Sequence, residues 1–528
     1  STLIIDLQNS QRTSVYCFLI RIFSNTKING TSIFATQRYK YKKNKMPSVI
    51  DGLSNQIANA LHKNKLSSGD VILISGDKSL DMFATIIAAL KAGITYCVYD
   101  PLGPLDRLKR ITNVCNPQLI INSSKDEFIL NSGLVDFVVF NYKEIKKQAL
   151  LLSPNRNAKV SNTLGNQLAY IMFTSGSTGI PKGAMISHDN VATLLDWSLD
   201  NFTFGPGELL ANVSPSYFDN FVFDFYSSLF SGASIVPFNS QDIADPYTLL
   251  QSIDDLGCTS WFSVPTMLIY LQNMRLLTQS SLKKIRRIIF GGEGYPKSKL
   301  VDVFNIFNER IDFYNVYGPT ECTCICSCYK VSQDDFEILD GFLPLGRLIP
   351  NFKYYILNDN LQPSSIGSNG ELCLYGPAIG QGYCNDLNRT EAVFVKDPFC
   401  SRYSRIIYRT GDIVHYNTED DKLYILGRSD NQVKHMGYRI ELEEIEICVT
   451  QLKYVKQACC VYNVINNLSV LTLFVSTNQK EIKVIRDDIK NLLPKYMIPS
   501  KVHIIDKLPL NSNGKVDRKE LALRANNL

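Results

Sequence analysis

Several features that would assign a protein to a class at once are missing from this sequence. Its formal net charge is only +5 over 528 residues, which gives no argument for binding nucleic acid. No apolar run reaches the roughly 18 residues needed to span a bilayer, since the apolar segment Thr13–Phe23 is short and interrupted by Arg21. A convincing cleavable signal, internal repeats and low-complexity stretches are missing too. We therefore expect a cytoplasmic globular protein without a nucleic-acid or membrane partner.

Two local clusters, one basic and one of cysteines, need their own interpretation. The basic run Arg38–Lys45 is interpreted as a solvated hairpin or loop rather than a nucleic-acid or membrane patch. Fourteen cysteines in a chain of this length do not indicate a secreted disulfide scaffold. Cys322, Cys324, Cys326 and Cys328 alternate, which predicts one face of a strand, whereas zinc sites usually pair C-x-x-C units from turns. Buried apolar thiols are the preferred interpretation over a metal site.

The order of apolar runs predicts an α/β fold with more than one domain. A chain of 528 residues is too long for a single core. Up to about residue 330, short apolar runs alternate with amphipathic segments of helix length, as in Val71–Ser75 followed by Met82–Ala92. This alternation is typical of layers with mostly parallel strands. From about 340 to 427 the runs shorten and turn residues are frequent, which predicts a β-rich subdomain.

Beyond residue 427 the pattern predicts a small α+β unit. It has two helical segments, Glu441–Gln451 and Ile482–Leu493, and two strand-like segments, Ala458–Tyr462 and Val470–Val475. We therefore predict a large N-terminal domain over residues 1–429, with its β-rich subdomain at about 340–427, and a small C-terminal domain over residues 430–528.

The segment Tyr170–Gly183 carries the most information in the chain. A strand-like run is followed by T-S-G-S-T-G-I-P-K-G, in which Gly176 and Gly179 allow a ligand to approach the backbone. Lys182 adds a point charge suited to phosphate, and such a loop also directs backbone N–H groups at an anion. The hydroxyl residues of this loop are Thr174, Ser175, Ser177 and Thr178. On composition alone, a polyphosphate-binding loop and an ordinary polar surface loop are equal alternatives, and the spacing is not that of a Walker loop.

The order T-S-G-S-T-G-x-P-K-G resembles the signature of the adenylate-forming enzymes: acyl-CoA synthetases, luciferases and the adenylation domains of nonribosomal peptide synthetases. Further motifs of that family follow in the same order, from Leu90-Lys-Ala-Gly93 to Lys515. The resemblance implies a large N-terminal domain of packed α/β and β subdomains and a small mobile C-terminal domain, with Asp430 as the hinge. It also implies a two-step reaction, in which a carboxylate attacks the α-phosphate of ATP and a thiol then displaces AMP.

The family motif N-x-Y-G-P-T-E is matched at Asn315–Glu321. By resemblance, Asn315 contacts the adenine edge, Tyr317 stacks on adenine and Thr320 reaches the α-phosphate. Glu321 is a hard oxygen ligand suited to Mg²⁺ beside phosphates. A solvated helix cap is the alternative for Glu321.

Three later motifs complete the expected site. Asp412 in Y-R-T-G-D and Arg428 after Gly427 are expected at the ribose. Gly437 in K-H-M-G-Y-R-I stands where the thiol-bearing arm passes the backbone, although an ordinary turn glycine is the alternative. Lys515 would bridge the substrate carboxylate and the α-phosphate, and Asn511 replaces the usual Thr of that motif.

These motifs define two sets of residues by resemblance. The catalytic set is Thr174, Lys182, Glu321 and Lys515. The nucleotide-binding set is Thr174, Ser175, Gly176, Ser177, Thr178, Gly179, Asn315, Tyr317, Thr320, Asp412 and Arg428.

The segment after Phe218 resembles the amino-acid-activating branch of the family, in which an aspartate binds the substrate ammonium. A buried carboxylate without a cation is costly, so Asp219 favours an amine, although a helix N-cap is the alternative. The flanking motifs place the pocket at Asp219, Asn220, Phe223, Phe262, Ile289, Gly291, Val316, Cys324 and Ile325. This mostly apolar set resembles those of domains that load isoleucine or valine, and Asn220 departs from the small residue usual there.

The resulting hypothesis is a ligase that activates a branched aliphatic amino acid with ATP and Mg²⁺ and loads it onto the phosphopantetheine of a carrier protein. One alternative is a CoA ligase for a carboxylic acid without an amine, and Asp219 argues against it. The other alternative is a non-catalytic relative that binds a partner, and the intact Lys182, Glu321, Asp412 and Lys515 argue against that.

Overall fold

The computed structural model describes residues 5–6, 49–122, 137–155, 163–350, 352–365, 367–465, 468–479, 481–511 and 516–526. Three features singled out above lie outside the described residues: the segment Thr13–Phe23, the basic cluster Arg38–Lys45 and the catalytic candidate Lys515.

The helices follow one another along the described chain with loops or strands between them. In order they are α1 (Val49–Lys63), α2 (Leu80–Ala92), α3 (Leu105–Cys115), α4 (Tyr142–Leu150), α5 (His188–Phe202), α6 (Asp219–Ser231), α7 (Ser240–Ala244), α8 (Pro246–Leu256), α9 (Pro265–Asn273), α10 (Lys297–Phe307), α11 (Leu387–Val393), α12 (Leu442–Thr450), α13 (Ile482–Leu492) and α14 (Arg518–Asn526). Short 3₁₀ turns cover Thr320–Cys322, Gln333–Phe336 and Lys495–Met497.

The strands are numbered separately, again in chain order. They are β1 (Ile5–Asp6), β2 (Val71–Ser75), β3 (Thr95–Tyr99), β4 (Leu119–Asn122), β5 (Val139–Asn141), β6 (Leu168–Thr174), β7 (Lys182–Ser187), β8 (Leu209–Asn212), β9 (Ser234–Pro237), β10 (Ser260–Ser263), β11 (Arg287–Gly291), β12 (Asp312–Tyr317), β13 (Ser327–Lys330), β14 (Arg347–Leu348), β15 (Lys353–Leu357), β16 (Asn369–Tyr375), β17 (Phe394–Lys396), β18 (Ile406–Asn417), β19 (Lys422–Arg428), β20 (Gln432–His435), β21 (Tyr438–Glu441), β22 (Val455–Ile465), β23 (Leu468–Thr477) and β24 (Lys501–Ile504).

Two mainly parallel sheets form the first part of the large domain. One has the strand order β5-β4-β2-β3-β6-β7, with only β7 antiparallel to its neighbour. The other has the order β1-β9-β8-β10-β11-β12-β13-β14, parallel from β9 to β12. Central strands such as β2 are continuous apolar runs, as at Ile72–Ile74, which is typical of parallel strands that are covered on both faces. The predicted alternation of parallel strands and helices is confirmed.

The β-rich region expected at about 340–427 is an antiparallel sheet of β15-β16-β18-β17, with β19 paired to β18. The one helix found there among the described residues is α11. Pairing of β18 with β19 places Asp412 directly opposite Arg428. Two residues from separate sequence motifs therefore become neighbours through strand register.

The prediction that four alternate cysteines lie on one strand is wrong. Cys322 ends a 3₁₀ turn, Cys324 has a left-handed φ of +73°, and β13 begins only at Ser327. The chain turns here because Thr323 and Cys324 both have left-handed φ after the 3₁₀ segment Thr320–Cys322. A period-two pattern does not distinguish such a turn from a strand. Cys322, Cys324 and Cys326 are buried, and Cys328 is half-buried. Within the described part of the chain, no group of three or more potential ligands is arranged to hold a metal ion.

The C-terminal part contains the predicted α+β elements. Helices α12 and α13 pack on a sheet of β22-β23-β24 through a shared apolar core that includes Ile445, Leu473 and Ile489. The predicted helices at 441–451 and 482–493 are each within a residue or two of the observed bounds, and the strands are longer than predicted. Ahead of α12, β20 and β21 form a two-stranded hairpin whose turn contains Gly437. The boundary between residues 429 and 430 remains a prediction.

Candidate active site

A cavity of about 470 Å³ lies where the carboxyl ends of the parallel strands meet the hairpin β20–β21. Thr174 at the end of β6, Ser263 at the end of β10 and Tyr317 at the end of β12 reach its wall. Lys434 and Gly437 of the hairpin form part of the opposite side. Ligands of open α/β sheets generally bind beyond the carboxyl ends of the strands, so this cavity is the candidate active site.

The loop between β6 and β7 is the predicted phosphate loop. A side chain at Gly176 would place its Cβ 2.0 Å from the carbonyl oxygen of Ile180, so only glycine fits there. Gly179 has φ +78°, and its N–H donates to the carbonyl oxygen of Gly176 at 2.9 Å. The buried hydroxyl of Thr174 has no hydrogen-bond partner within the described chain. The loop is therefore shaped by its glycines, and Thr174 leaves one polar atom available to a ligand.

Residues of the hairpin strand β21 and of helix α12 contact this loop directly. Lys182 forms an ion pair with Glu441 at 2.8 Å, and the Gly176 N–H donates to Glu444 at 3.0 Å. The Ser175 hydroxyl donates to the Arg439 carbonyl oxygen at 2.7 Å. Ser177, Thr178 and Gly179 do not reach the cavity wall, although Ser175 does.

Glu321 is fully buried next to the same loop. One carboxylate oxygen accepts from the Tyr383 hydroxyl at 2.6 Å, and the other pairs with Arg439 at 2.6 Å. Burial alone would raise the pKa of Glu321, but Arg439 and Lys182 outweigh it and hold the pKa at about 2. The carboxylate is ionised but already occupied, so this arrangement does not fit the expected Mg²⁺ ligand. A solvated helix cap is excluded by its burial.

Three predicted nucleotide-binding residues are brought together from separate motifs. The Tyr317 hydroxyl donates to Asp412 at 2.6 Å, and Arg428 pairs with the other oxygen of Asp412 at 2.7 Å. Arg428 also pairs with Asp430 at 2.7 Å, which outweighs burial and lowers the pKa of Asp430. Tyr317, Asp412 and Arg428 line the cavity, whereas Asp430 does not.

Asn315, predicted at the adenine edge, is placed differently. Its side-chain amide donates to the carbonyl oxygen of Pro344 at 2.9 Å, and it does not reach the cavity wall. It stands on β12 two residues before Tyr317, so the fold holds it beside the cavity rather than in it.

Asp219 is the first residue of α6 and does not cap it. The N-cap position is Phe218, which makes no side-chain cap hydrogen bond. The Asp219 carboxylate lies at the cavity wall, half-buried, and accepts from the Thr320 hydroxyl at 2.6 Å. Burial is the main reason that the pKa of Asp219 is raised, with nearby Glu321 adding to it. The capping alternative is therefore wrong, and Asp219 faces the cavity.

The other predicted pocket positions divide into two groups. Residues that reach the cavity wall are Asn220, Phe262, Val316 and Cys324. Residues buried away from that wall are Phe223, Ile289, Gly291 and Ile325. The Phe223 ring packs edge-on against Phe262 with centroids 5.2 Å apart. Phe223, in the second group, therefore supports a side chain of the cavity wall without reaching the cavity itself.

The turn of the hairpin docks against the large domain at Gly437. Gly437 has φ +80°, and a Cβ there would come within 2.4 Å of Val264. Its N–H donates to Glu293 at 2.9 Å. Gly437 is therefore a turn glycine that packs closely on Val264, and its role at the thiol-bearing arm remains a prediction.

Several site residues were not assigned from the sequence. Lys434 lies 5.5 Å from the centre of the Tyr317 ring, and burial lowers its pKa. Arg439 contacts Glu321, and Arg107 pairs with Glu444 at 2.5 Å. Lys434 and Arg439 are fixed letters of the K-x-x-G-x-R-I motif, so the motif itself was the available signal, whereas nothing marked Arg107.

Two family models match the chain. One, described as AMP-binding enzyme, covers residues 50–384, and the other, AMP-binding enzyme C-terminal domain, covers residues 444–515. The chain belongs to the AMP-binding enzyme family. The resemblance to adenylate-forming ligases of the amino-acid adenylation type is therefore confirmed.

Curated relatives are similar over most of the chain. Gramicidin S synthase 2 of Aneurinibacillus migulanus is 31% identical over 89% of this chain, which spans only 10% of that relative. The D-alanine–D-alanyl carrier protein ligase of Lacticaseibacillus casei strain BL23 is 30% identical over 87% of this chain and 90% of its own length. Members of this family thus include both single ligases and small parts of long synthetases.

Solved structures share the fold. An artificially fused adenylation–PCP di-domain, NpsA-ThdA from Klebsiella oxytoca, matches with a TM-score of 0.77 at 18% identity, over 93% of both chains. A double mutant of o-succinylbenzoate CoA synthetase from Bacillus subtilis matches with a TM-score of 0.76 at 20% identity, over 89% of this chain and 92% of the other. The predicted fold class, a large N-terminal domain followed by a smaller α+β domain, is confirmed.

Among the described residues, no helix has the length and apolarity required to cross a bilayer.

Proposed function

We propose that this chain uses ATP to convert an amino acid into its aminoacyl-AMP and transfers the aminoacyl group to the phosphopantetheine thiol of a carrier protein. The position of Asp219 supports an amino acid as the substrate, because its carboxylate faces the cavity with the Thr320 hydroxyl as its side-chain partner. Burial raises its pKa, so an adjacent substrate ammonium would stabilise the ionised form. A carboxylic acid without an amine would leave the carboxylate without a cation.

Carrier loading is supported by the relatives. One is named for ligating D-alanine to a carrier protein, and one structural neighbour is an adenylation domain fused to PCP. Gly437 contributes backbone and no side chain to the cavity wall, which supports placing the thiol-bearing arm beside it.

The nucleotide would be held in two parts. Tyr317, Asp412 and Arg428 are already connected by hydrogen bonds and an ion pair, which suits adenine stacking and a ribose diol. The phosphate loop would hold the phosphates through Lys182, its N–H groups and the unpartnered Thr174 hydroxyl. The role of Asn315 at adenine remains a prediction, because its amide is occupied by Pro344.

The chemistry needs charge stabilisation more than acid–base groups. In the first step a carboxylate oxygen attacks the α-phosphorus and the bond to pyrophosphate breaks, so negative charge grows on phosphate oxygens. Lys182, and Lys515 by its motif, are the cations assigned to that charge. In the second step the carrier thiolate attacks the acyl carbonyl, and AMP leaves with the bonding electron pair.

A branched aliphatic side chain, isoleucine or valine, is the proposed substrate. The wall beside Asp219 is apolar at Phe262, Val316 and Cys324, and a charged side chain buried there would have no partner. An apolar pocket distinguishes substrates that differ by one methylene by only about 1–3 kcal/mol, so some turnover of leucine is expected.

Movement of residues 430–528 about Asp430 would separate the two steps. Asp430 lies between β19 and β20, held by Arg428. Proline at this position would fix φ near about −65° and hold one orientation. We expect Asp430→Pro to retain one half-reaction and lose the other, and parent rates in both would exclude Asp430 as the hinge.

The proposed function is tested by ATP–pyrophosphate exchange with a panel of amino acids and their des-amino analogues. Isoleucine or valine should lead, with Asp, Glu, Lys and Arg near background. Asp219→Asn keeps the side-chain shape but removes the charge, so it should lower the rate of exchange with the amino acid about a hundredfold. The ratio of the exchange rate with the amino acid to that with the des-amino acid should therefore fall. The exposed Asp196 gives the matched control, Asp196→Asn. A panel led by an amine-free or charged substrate would refute the assignment.

A further inference from the structure

Arg110 and Arg389, here called the arginine clamp, contact the tip of the phosphate loop at residues 178–180. Arg389 on α11 donates to the Thr178 hydroxyl and, at 3.2 Å, to the carbonyl oxygen of Ile180. Arg110 on α3 donates to the carbonyl oxygen of Gly179 at 2.7 Å. Three consecutive loop residues therefore each give one acceptor to a guanidinium of the large domain.

Both guanidiniums are held by contacts of their own helices. Arg389 pairs with Asp386, the N-cap residue of α11, at 3.0 Å, and the Arg389 side chain is 20% exposed. The Arg110 Nε donates to the carbonyl oxygen of Asp106, one turn earlier in α3, at 3.2 Å. Arg110 also donates to the Cys448 sulfur of α12 at 3.3 Å. The position of each guanidinium is therefore fixed by groups other than the loop that it holds.

The tip of the loop is a segment that gains from such support. Ser177, Thr178 and Ile180 are exposed, and the backbone hydrogen bond within the tip runs from the Gly179 N–H to the Gly176 carbonyl oxygen. Glycine loses more conformational freedom on ordering than any other residue. A loop that became ordered only when a polyphosphate binds would lose that freedom at the expense of affinity.

The arginine clamp also determines what the loop offers to an anion. It takes up the carbonyl oxygens of Gly179 and Ile180, which would otherwise be free to repel phosphate oxygens. A trans peptide places its N–H opposite its C=O, so the Ile180 N–H points away from Arg110. Neither arginine lines the cavity, so any effect on a ligand there passes through the loop.

We propose that Arg110 and Arg389 are positioning residues that keep the phosphate loop in its ligand-binding shape before ATP arrives. The inference rests on the proposed function, because the phosphates that it concerns are those of ATP. It adds that affinity for these phosphates depends on two side chains outside the cavity. Binding of the nucleoside is independent of them, because the contacts among Tyr317, Asp412 and Arg428 use neither arginine.

The first test is hydrogen–deuterium exchange of the ligand-free full chain, resolved to single amides. Arg110→Gln and Arg389→Gln each remove one guanidinium, so exchange at the Gly179 N–H should accelerate at least about fivefold in each variant. Arg402→Gln is the matched control and should leave that exchange unchanged, because Arg402 is an exposed arginine of the same β-rich subdomain as Arg389. Unchanged exchange in either clamp variant overturns the proposal that both arginines hold the loop.

The second test is binding of ATP and of AMP to the same variants by equilibrium dialysis with labelled nucleotides. Loss of either guanidinium should raise the Kd for ATP at least about fivefold and leave the Kd for AMP unchanged, because AMP lacks the β- and γ-phosphates. Normal AMP binding also reports that the variant is folded. Equal weakening of both nucleotides overturns the proposal, and so does faster exchange without weaker ATP binding.

The variant Arg389→Lys separates the position of the loop from the charge beside it. Lysine keeps the positive charge but lacks the planar fork that reaches Thr178 and Ile180 together, so the Kd for ATP should rise as it does in Arg389→Gln. A parent Kd in Arg389→Lys would show that charge alone acts on the phosphates, and it would overturn the positioning role.

These measurements also separate this inference from the proposed function, because none of them needs an amino acid. An amino-acid panel at background, together with faster exchange and weaker ATP binding in the clamp variants, refutes the proposed function alone. An active panel with parent exchange at the Gly179 N–H in those variants refutes the arginine clamp alone.

Discussion

At one end of the cavity, Tyr317, Asp412 and Arg428 contact one another within the large domain. At the phosphate loop, here called the phosphate end, Lys182 and Glu321 do not reach the cavity wall and have their charged partners in residues 439–444. The nucleoside end is therefore preorganised within the large domain, whereas the charged partners at the phosphate end come from the small domain. This difference suits a reaction in which AMP remains through both steps but pyrophosphate leaves after the first.

The largest expected effect is at the phosphate end. Lys515→Ala should lower ATP–pyrophosphate exchange by at least about 10²–10³-fold, because its charge is needed as the α-phosphate is attacked. ATP binding should change much less, and transfer from a supplied aminoacyl-AMP should be largely intact. Single-turnover assays of each half-reaction check this, and near-normal exchange would remove Lys515 from the catalytic set.

The nucleoside end should respond uniformly to substitution. Asp412→Asn should weaken AMP and ATP binding by the same factor, about 10–100-fold, since it removes one charge-assisted contact common to both ligands. Asp430→Asn is the control, because Asp430 also pairs with Arg428 but does not line the cavity. Unequal losses of AMP and ATP would show that the two ends are not independent.

The ion pair at Glu321 predicts a pH dependence of stability. Its folded pKa of about 2 lies below the usual value of 4.5, so its contribution is complete above about pH 5 and is lost as the pH falls towards 2. Between pH 6 and pH 3 this group should account for about 2 kcal/mol of the loss in free energy of unfolding. In urea titrations, the free energy of unfolding of Glu321→Gln should fall by that amount less than that of the parent between pH 6 and pH 3. The same pH dependence in the variant and the parent would contradict this prediction.

The smallest expected effect concerns the docked hairpin. Gly437→Ala introduces a Cβ that clashes with Val264, so transfer to the carrier should slow about tenfold while exchange is unaffected. Gly367→Ala is the matched control, because Gly367 has a similar φ of +78° but nothing within 4 Å of its Cβ position. Equal effects of the two variants would mean that backbone strain, not docking, limits transfer.

Many features of this site were accessible from sequence patterns. The phosphate loop, Tyr317, Asp412, Arg428 and Gly437 are motif letters, and the predicted segments of the small domain match the observed helices and strands closely. The predictions of helices and strands succeed because apolar periodicity is a local property of the sequence. The cysteine strand failed for the same reason, since a period-two pattern over Cys322–Cys328 is compatible with a turn.

What the sequence by itself determined is the family, the order of elements and the residue types available for chemistry. Only the tertiary structure decided their partners: that Asp219 meets Thr320 rather than caps its helix, and that Glu321 is held by Arg439. It also decided that Glu441 and Glu444 lie on the phosphate loop. Glu444 and Gly176 are 268 positions apart, and no local pattern encodes which buried charges will face each other. That choice is made by domain packing, because each buried charge requires a partner of opposite sign.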